Sequence, residues 1–158
     1  DVYKRQLMDL AGAEKPPDYM VDGVSFVPVI HGSSKPIRNV LFGELGHSRA
    51  VKSKEWKYIA VRYPEEVQRR IDEGKSFKGF KGEVLELPYL TRNGHLGHHA
   101  ARHNPNYFEA DQLYDLQRDP EETKNVITQN PEVAERLKVD LAKALKQFEN
   151  RPFGEFTE

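Results

Sequence analysis

The stretch NVLFGELGHSRAVKSKEWKYIAVRY, Asn39 to Tyr63, decides the fold. It divides into three short runs rich in β-branched and aromatic residues: Asn39 to Gly46, Ser48 to Lys54 and Trp56 to Tyr63. Such runs favour strands. Single residues, His47 and Glu55, separate them. A parallel pair needs a crossover of a dozen or more residues, so these connections predict an antiparallel meander.

Working outward, Pro64 stops the third run, and PEEVQRRIDEG predicts a helix with Val67 and Ile71 at i, i+4 and Gly74 as terminator. From Lys75 to Ala110 the pattern weakens. A fourth short strand is expected at Gln112 to Leu116, where Leu113 and Leu116 are apolar. Asp119-Pro120 then sets a turn, with proline fixing φ and the aspartate accepting a downstream amide. The register of DPEETKN does not match an EF-hand loop.

The clearest helix comes last: Asn130 as cap, Pro131 at the first helical position, then Val133/Ala134, Leu137, Leu141, Ala144/Leu145 and Phe148 on one stripe. Each large side chain buried there contributes about 1.5–3 kcal/mol before entropy, so the stripe must lie on the strands. Upstream, Leu7 to Gly12 reads as the end of a helix stopped by Gly12. In VDGVSFVPVIHG, Ser25 is expected to cap a short turn that Gly32 ends. The fold class is α+β: a small antiparallel sheet of about four strands packed by a C-terminal amphipathic helix.

Composition narrows the function. Basic and acidic residues number 24 and 25, a net charge of −1, which gives no global argument for binding nucleic acid or an anionic membrane. No cysteine is present, so thiolate metal sites, disulfides and cysteine nucleophiles are excluded within these residues. No apolar run approaches the roughly 20 residues a bilayer span needs. The first residues lack the apolar core of a signal peptide. DVYKRQ matches what a sequencing adaptor encodes in one frame, so residues 1–6 are expected to be an artefactual extension and the natural chain to be cut upstream of Leu7.

Four of the six histidines, His95, His98, His99 and His103, fall in RNGHLGHHAARHNPNY. On a continuous helix they share a face with Arg102. The i, i+4 pairs His95/His99 and His99/His103 could chelate zinc, but the cluster holds no carboxylate and its glycines oppose a rigid helix. Residues 92–103 would thus serve a stand-alone metal- or anion-binding module, or remain a packed or solvated loop.

The order LMDLAG, DGVSFVPVIHG, RNVLFGELGHSRAVKSKEWKYI, DQLYDLQRDPEETKNV and a final amphipathic helix resembles the C-terminal region of type I, formylglycine-dependent sulfatases of the alkaline-phosphatase-like superfamily. The layout is closest to heparan N-sulfatase-like (N-sulfoglucosamine sulfohydrolase-like) enzymes, and SRAVKSKEWKYI and QLYDLQRDPEETKN are its most specific parts. The resemblance implies that residues 7–37 end the catalytic α/β domain and its linker, residues 38–150 form the C-terminal subdomain, and residues 151–158 are a tail. It also implies a parent that hydrolyses sulfate esters or sulfamates on sulfated carbohydrate, binds calcium through residues outside this chain, and is periplasmic or secreted. The implied partners are the parent's N-terminal catalytic domain and a sulfated glycan, with neither nucleic acid nor membrane. No catalytic residue and no metal ligand fall in this chain, so alone it is expected to be inactive.

Two groups of substrate contacts follow from the resemblance. One is Glu44, His47 and Arg49, after the first strand, where a carboxylate and an imidazole would meet sugar hydroxyls or an amino group. Structurally, Glu44 and Arg49 could instead form a cross-strand pair worth about 0.2–1 kcal/mol. The other is His98, His99 and Arg102, as donors to sulfate or carboxylate. Ser34, Pro36 and Arg38 spell S-x-P-x-R, the sulfatase nucleophile pattern. In the family that pattern opens a helix and continues into T-G-R; here a strand follows, so the match is read as accidental. Trp56, Tyr58 and Ile59 are expected in the core.

Overall fold

The computed structural model describes residues 3–14, 17, 23–45, 47–73 and 104–146. It forms two compact units, residues 1–39 and 40–158.

In the first unit, helix α1 (Lys4–Leu10) ends where Gly12 turns left-handed at φ 65°. Gly12 N donates to Asp9 O and Ala13 N to Met8 O, the paired bonds of a Schellman stop. Helix α2 (Val27–Ile30) ends the same way at Gly32, φ 84°. Ser25 does not occupy its cap. Phe26 does, and the Ser25 hydroxyl accepts from Val27 N at 3.2 Å in a turn one residue earlier. Ser34 is exposed in the irregular stretch after Gly32, with no helix opening beyond it.

The second unit holds β1 (Leu41–Leu45), β2 (Ser48–Lys52), β3 (Trp56–Val61), α3 (Glu65–Asp72), β4 (Asp111–Asp115) and α4 (Pro131–Leu145). The strands form one antiparallel sheet in the order β1-β2-β3-β4. Side chains alternate between its faces. Val51, Tyr58, Ala60 and Leu113 therefore meet Ala134, Leu137 and Leu141 of α4 in one buried cluster, with Phe42, Trp56, Val133 and Leu145 packed around it. Leu137 and Leu141 are the buried large side chains of the predicted helical stripe; Phe148 lies outside the described residues. Ile59 is the exception to the expected core, since its odd position in β3 places it on the opposite face.

The outer edge of β4 is closed by a side chain. Asn125 Oδ1 accepts from Leu113 N at 2.9 Å and from Ile127 N at 3.1 Å, and its Nδ2 donates to Asp111 O at 3.0 Å. Val126 N then bonds Leu113 O. Asn125 and Val126 thus stand in for a short fifth strand and cover the middle of the edge. Asp119 makes the expected turn, accepting from Lys124 N at 2.8 Å and from the Thr123 hydroxyl at 3.1 Å. Asn130 sits at the cap of α4 without a capping bond. Its amide donates instead to Val126 O at 3.0 Å, fastening the approach to the helix.

Candidate functional site

The face of the sheet turned away from α4 is lined with small or short residues near β1: Gly43 on β1, Ala50 and Ser48 on β2, and Ile59 on β3. Together they floor an open cavity of about 450 Å³. Polar groups wall it. Lys57 Nζ pairs with Glu122 at 2.5 Å. The Tyr114 hydroxyl donates to Gln112 Oε1 at 2.8 Å, and Gln112 Nε2 donates to Glu109 O at 2.9 Å. Asn104 and Tyr107 close the side that precedes β4. Burial pushes the Tyr114 hydroxyl pKa up, so it remains a neutral donor.

Glu122 reaches the cavity at a cost. It is the non-glycine residue with positive φ among those described, at 56°. The left-handed region costs an L-residue about 1–2 kcal/mol.

The sequence-derived contacts separate. Glu44 and Arg49 are register partners on β1 and β2 and form an ion pair at 3.3 Å, with the Arg49 side chain 3% exposed. The cross-strand reading thus describes their geometry; both residues lie at the cavity margin, with side chains turned to the face of Ala60 by the strand alternation. His47 does not line it. The imidazole lies in the β1–β2 turn edge-on to Tyr63, with ring centroids 5.8 Å apart. Burial, and then the nearby Arg49 guanidinium, lower the His47 pKa, so the ring is neutral at neutral pH and offers no cationic contact to sulfate there. His98, His99 and Arg102, with the remainder of segment 92–103, lie outside the described residues.

A second cluster fastens the start of β4. The buried Tyr58 hydroxyl donates to Asp111 Oδ1, Arg62 Nη2 donates to the same oxygen at 3.0 Å, and Arg62 Nη1 donates to Ala110 O at 2.7 Å. Burial opposes the Asp111 charge, but the hydrogen bonds from Tyr58 and Arg62 outweigh it and hold the carboxyl pKa below its ordinary value. Burial and Asp111 push the Tyr58 hydroxyl pKa up. Neither this network nor the roles of Gln112, Glu122 and Asn125 was anticipated. The alternation of QLYD places Gln112 and Tyr114 on one face, and that signal was available in the sequence.

Among the described residues no group of three or more histidine, aspartate or glutamate side chains could hold a metal ion. No helix of the described residues is long and apolar enough to cross a membrane.

No family model matches the chain. A curated protein, the ulvan-active sulfatase of Formosa agariphila, is 30% identical over 152 residues, which cover 88% of this chain and 27% of that protein. Among solved structures, a Bacteroides thetaiotaomicron chain labelled 6S-sulf, from a locus for metabolism of multiple glycosaminoglycans, is 24% identical with a TM-score of 0.51. That match covers 92% of this chain and 24% of the other. Another, solved with its substrate D-glucosamine-2-N,6-O-disulfate, is 16% identical with a TM-score of 0.56, covering 97% of this chain and 25% of its own. The chain is thus similar in sequence to part of a sulfatase and shares the fold of such a part. It spans about a quarter of the length of the proteins it matches.

Proposed function

We propose that this chain is the C-terminal subdomain of a formylglycine-dependent sulfatase that acts on sulfated carbohydrate, supporting the catalytic domain and bordering the substrate. The similarity to the ulvan-active sulfatase carries the reading. The substrate printed for one structural neighbour, a glucosamine bearing both N- and O-sulfate, fits a sulfated amino sugar of the glycosaminoglycan kind. It is compatible with the heparan N-sulfatase-like layout of the sequence.

The division of labour is physical. Sulfate hydrolysis in this class requires a hydrated aldehyde nucleophile and a divalent cation that polarises the sulfate oxygens. In this reading the chemistry falls to the catalytic domain, which would bind calcium. Glu44 and Arg49 at the cavity margin, and His98, His99 and Arg102 beyond β3, are the proposed substrate contacts. His47 takes part as a neutral hydrogen-bonding ring. The parent would be periplasmic or secreted, where polymeric sulfated glycans are met.

The test is the reading frame upstream of Leu7 at the same locus. An in-frame C-x-P-S-R or S-x-P-S-R, and hydrolysis of sulfated glucosamine by the complete product, support the proposal. A complete, active protein without that motif refutes it.

A further inference from the structure

We infer that the cavity on the open face of the sheet is a subsite for an uncharged, hydroxyl-rich pyranose ring, the neighbour in a glycan of the sugar that carries sulfate. This deepens the sulfatase reading and rests on it only for the identity of the glycan.

Three observations carry the inference. The first is charge balance. The charged side chains on this face of the sheet are Lys57 and Glu122, and they are paired with each other; Glu44 and Arg49, also at the margin, pair on the opposite face, in register with Ala60. A sulfate entering would compete with the carboxylate already bound to Lys57, whereas a hydroxyl can donate to that carboxylate and accept from the ammonium without breaking the pair. The second is shape. The floor of Gly43, Ala50 and Ile59 is small and apolar, suited to the C–H face of a ring, while Gln112, Tyr114 and Asn104 stand where the ring's polar edge would meet them. The volume of about 450 Å³ lies within the range of about 300–1,000 Å³ usual for small-molecule sites.

The third is Glu122 itself. A strained non-glycine backbone persists where the surroundings over-determine it, and such residues concentrate at binding sites. The left-handed turn at Glu122 aims a carboxylate at Lys57 and into the cavity. A glycine would adopt the same turn without strain but supply no carboxylate.

Two substitutions separate binding from folding. A Cβ placed on Gly43 meets nothing within 4 Å, so Gly43→Val fills the cavity without a backbone clash and suits a strand better than glycine does. Glu122→Gly relieves the turn and removes the carboxylate. The 158-residue chain and both variants are titrated by calorimetry with a panel of uncharged pyranose disaccharides, with glucosamine 2-N,6-O-disulfate and with inorganic sulfate, each at low and high salt.

The expected result is saturable binding of an uncharged disaccharide, unchanged by salt and not displaced by inorganic sulfate. In both variants binding weakens about tenfold or more, while the thermal midpoint of Gly43→Val stays equal or rises. Absence of saturable binding, binding confined to sulfated probes and lost at high salt, or binding retained by both variants overturns the inference. None of these outcomes bears on the upstream nucleophile motif, so failure of the subsite and failure of the sulfatase reading are told apart.

Discussion

Replacing Tyr58 by phenylalanine removes one oxygen from the network that anchors β4 and leaves the ring packing intact. Tyr58 is 1% exposed, so the aromatic contacts with the core cluster persist. The loss is the hydroxyl donated to Asp111. A hydrogen bond to a charged group contributes about 1.5–3 kcal/mol. The Asp111 side chain is 32% exposed and keeps Arg62, so solvent screening places the expected cost near the lower limit, about 1.5 kcal/mol. With a urea m-value of about 1–3 kcal/mol/M, the unfolding midpoint falls by about 0.5–1.5 M.

The pH dependence gives a sharper test. Asp111 has a lowered pKa in the folded chain. Its contribution is therefore present above the unfolded value of about 3.9 and is lost as pH falls through the folded value. In Tyr58→Phe the carboxyl loses a donor and its pKa rises, so the gap between the two chains is widest near neutral pH and narrows on acidification. Urea unfolding of both chains at about pH 7 and about pH 2.5 measures that gap. A gap equal at the two pH values, or absent at neutral pH, would refute the assignment of Asp111 as the charged acceptor.

Truncating Leu137, which is 1% exposed beneath α4, to alanine is expected to cost about 2–5 kcal/mol by chemical denaturation; a change under about 1 kcal/mol would mean that the helix does not rest on the sheet. Asn125→Ala strips the Leu113 amide of its acceptor, so that amide should exchange with deuterium faster than its β3 neighbours while Ile59 remains protected. The His47 imidazole should titrate below the ordinary value of about 6.5 by NMR, and Arg49→Gln should raise its pKa by removing a nearby cation. Because the folded His47 binds its proton less readily than the unfolded chain does, its contribution to stability falls as pH drops through about 6.5 toward its folded pKa.

The strands and the final helix were legible because their signals are local. Alternation in SRAVK and WKYIAV and the stripe through Leu137 and Leu141 each report one buried face, and connections of one or a few residues leave an antiparallel arrangement as the feasible one. What escaped depends on pairs distant in sequence. Nothing in DPEETKN reveals that Glu122 will reach Lys57, 65 positions earlier, or that Asn125 will bond the backbone of β4. Single polar residues near turns read alike whether they face water or complete a sheet. Ser25 and Asn130 were placed near the correct helix starts: the Ser25 hydroxyl accepts from Val27 N, the first amide of α2, from one residue before the cap, whereas the Asn130 amide sits at the cap of α4 and donates to Val126 O. Ile59 was misplaced because apolar character alone does not choose between faces. Glu44 and Arg49 were recognised as neighbours from the strand pattern, whereas the cavity they border requires β3, β4 and the 122 turn together.

The two flanks of the sheet are unlike. On the β4 side Asn125 and Val126 occupy the outward amide and carbonyl of Leu113, at the middle of the strand, while on the β1 side no strand among the described residues covers the outer edge, and Leu41 and Leu45 are 56% and 67% exposed. A sheet able to accept a neighbour along one flank only can join once and then stops. Misassembly through this edge would therefore end at paired chains instead of extending into fibrils.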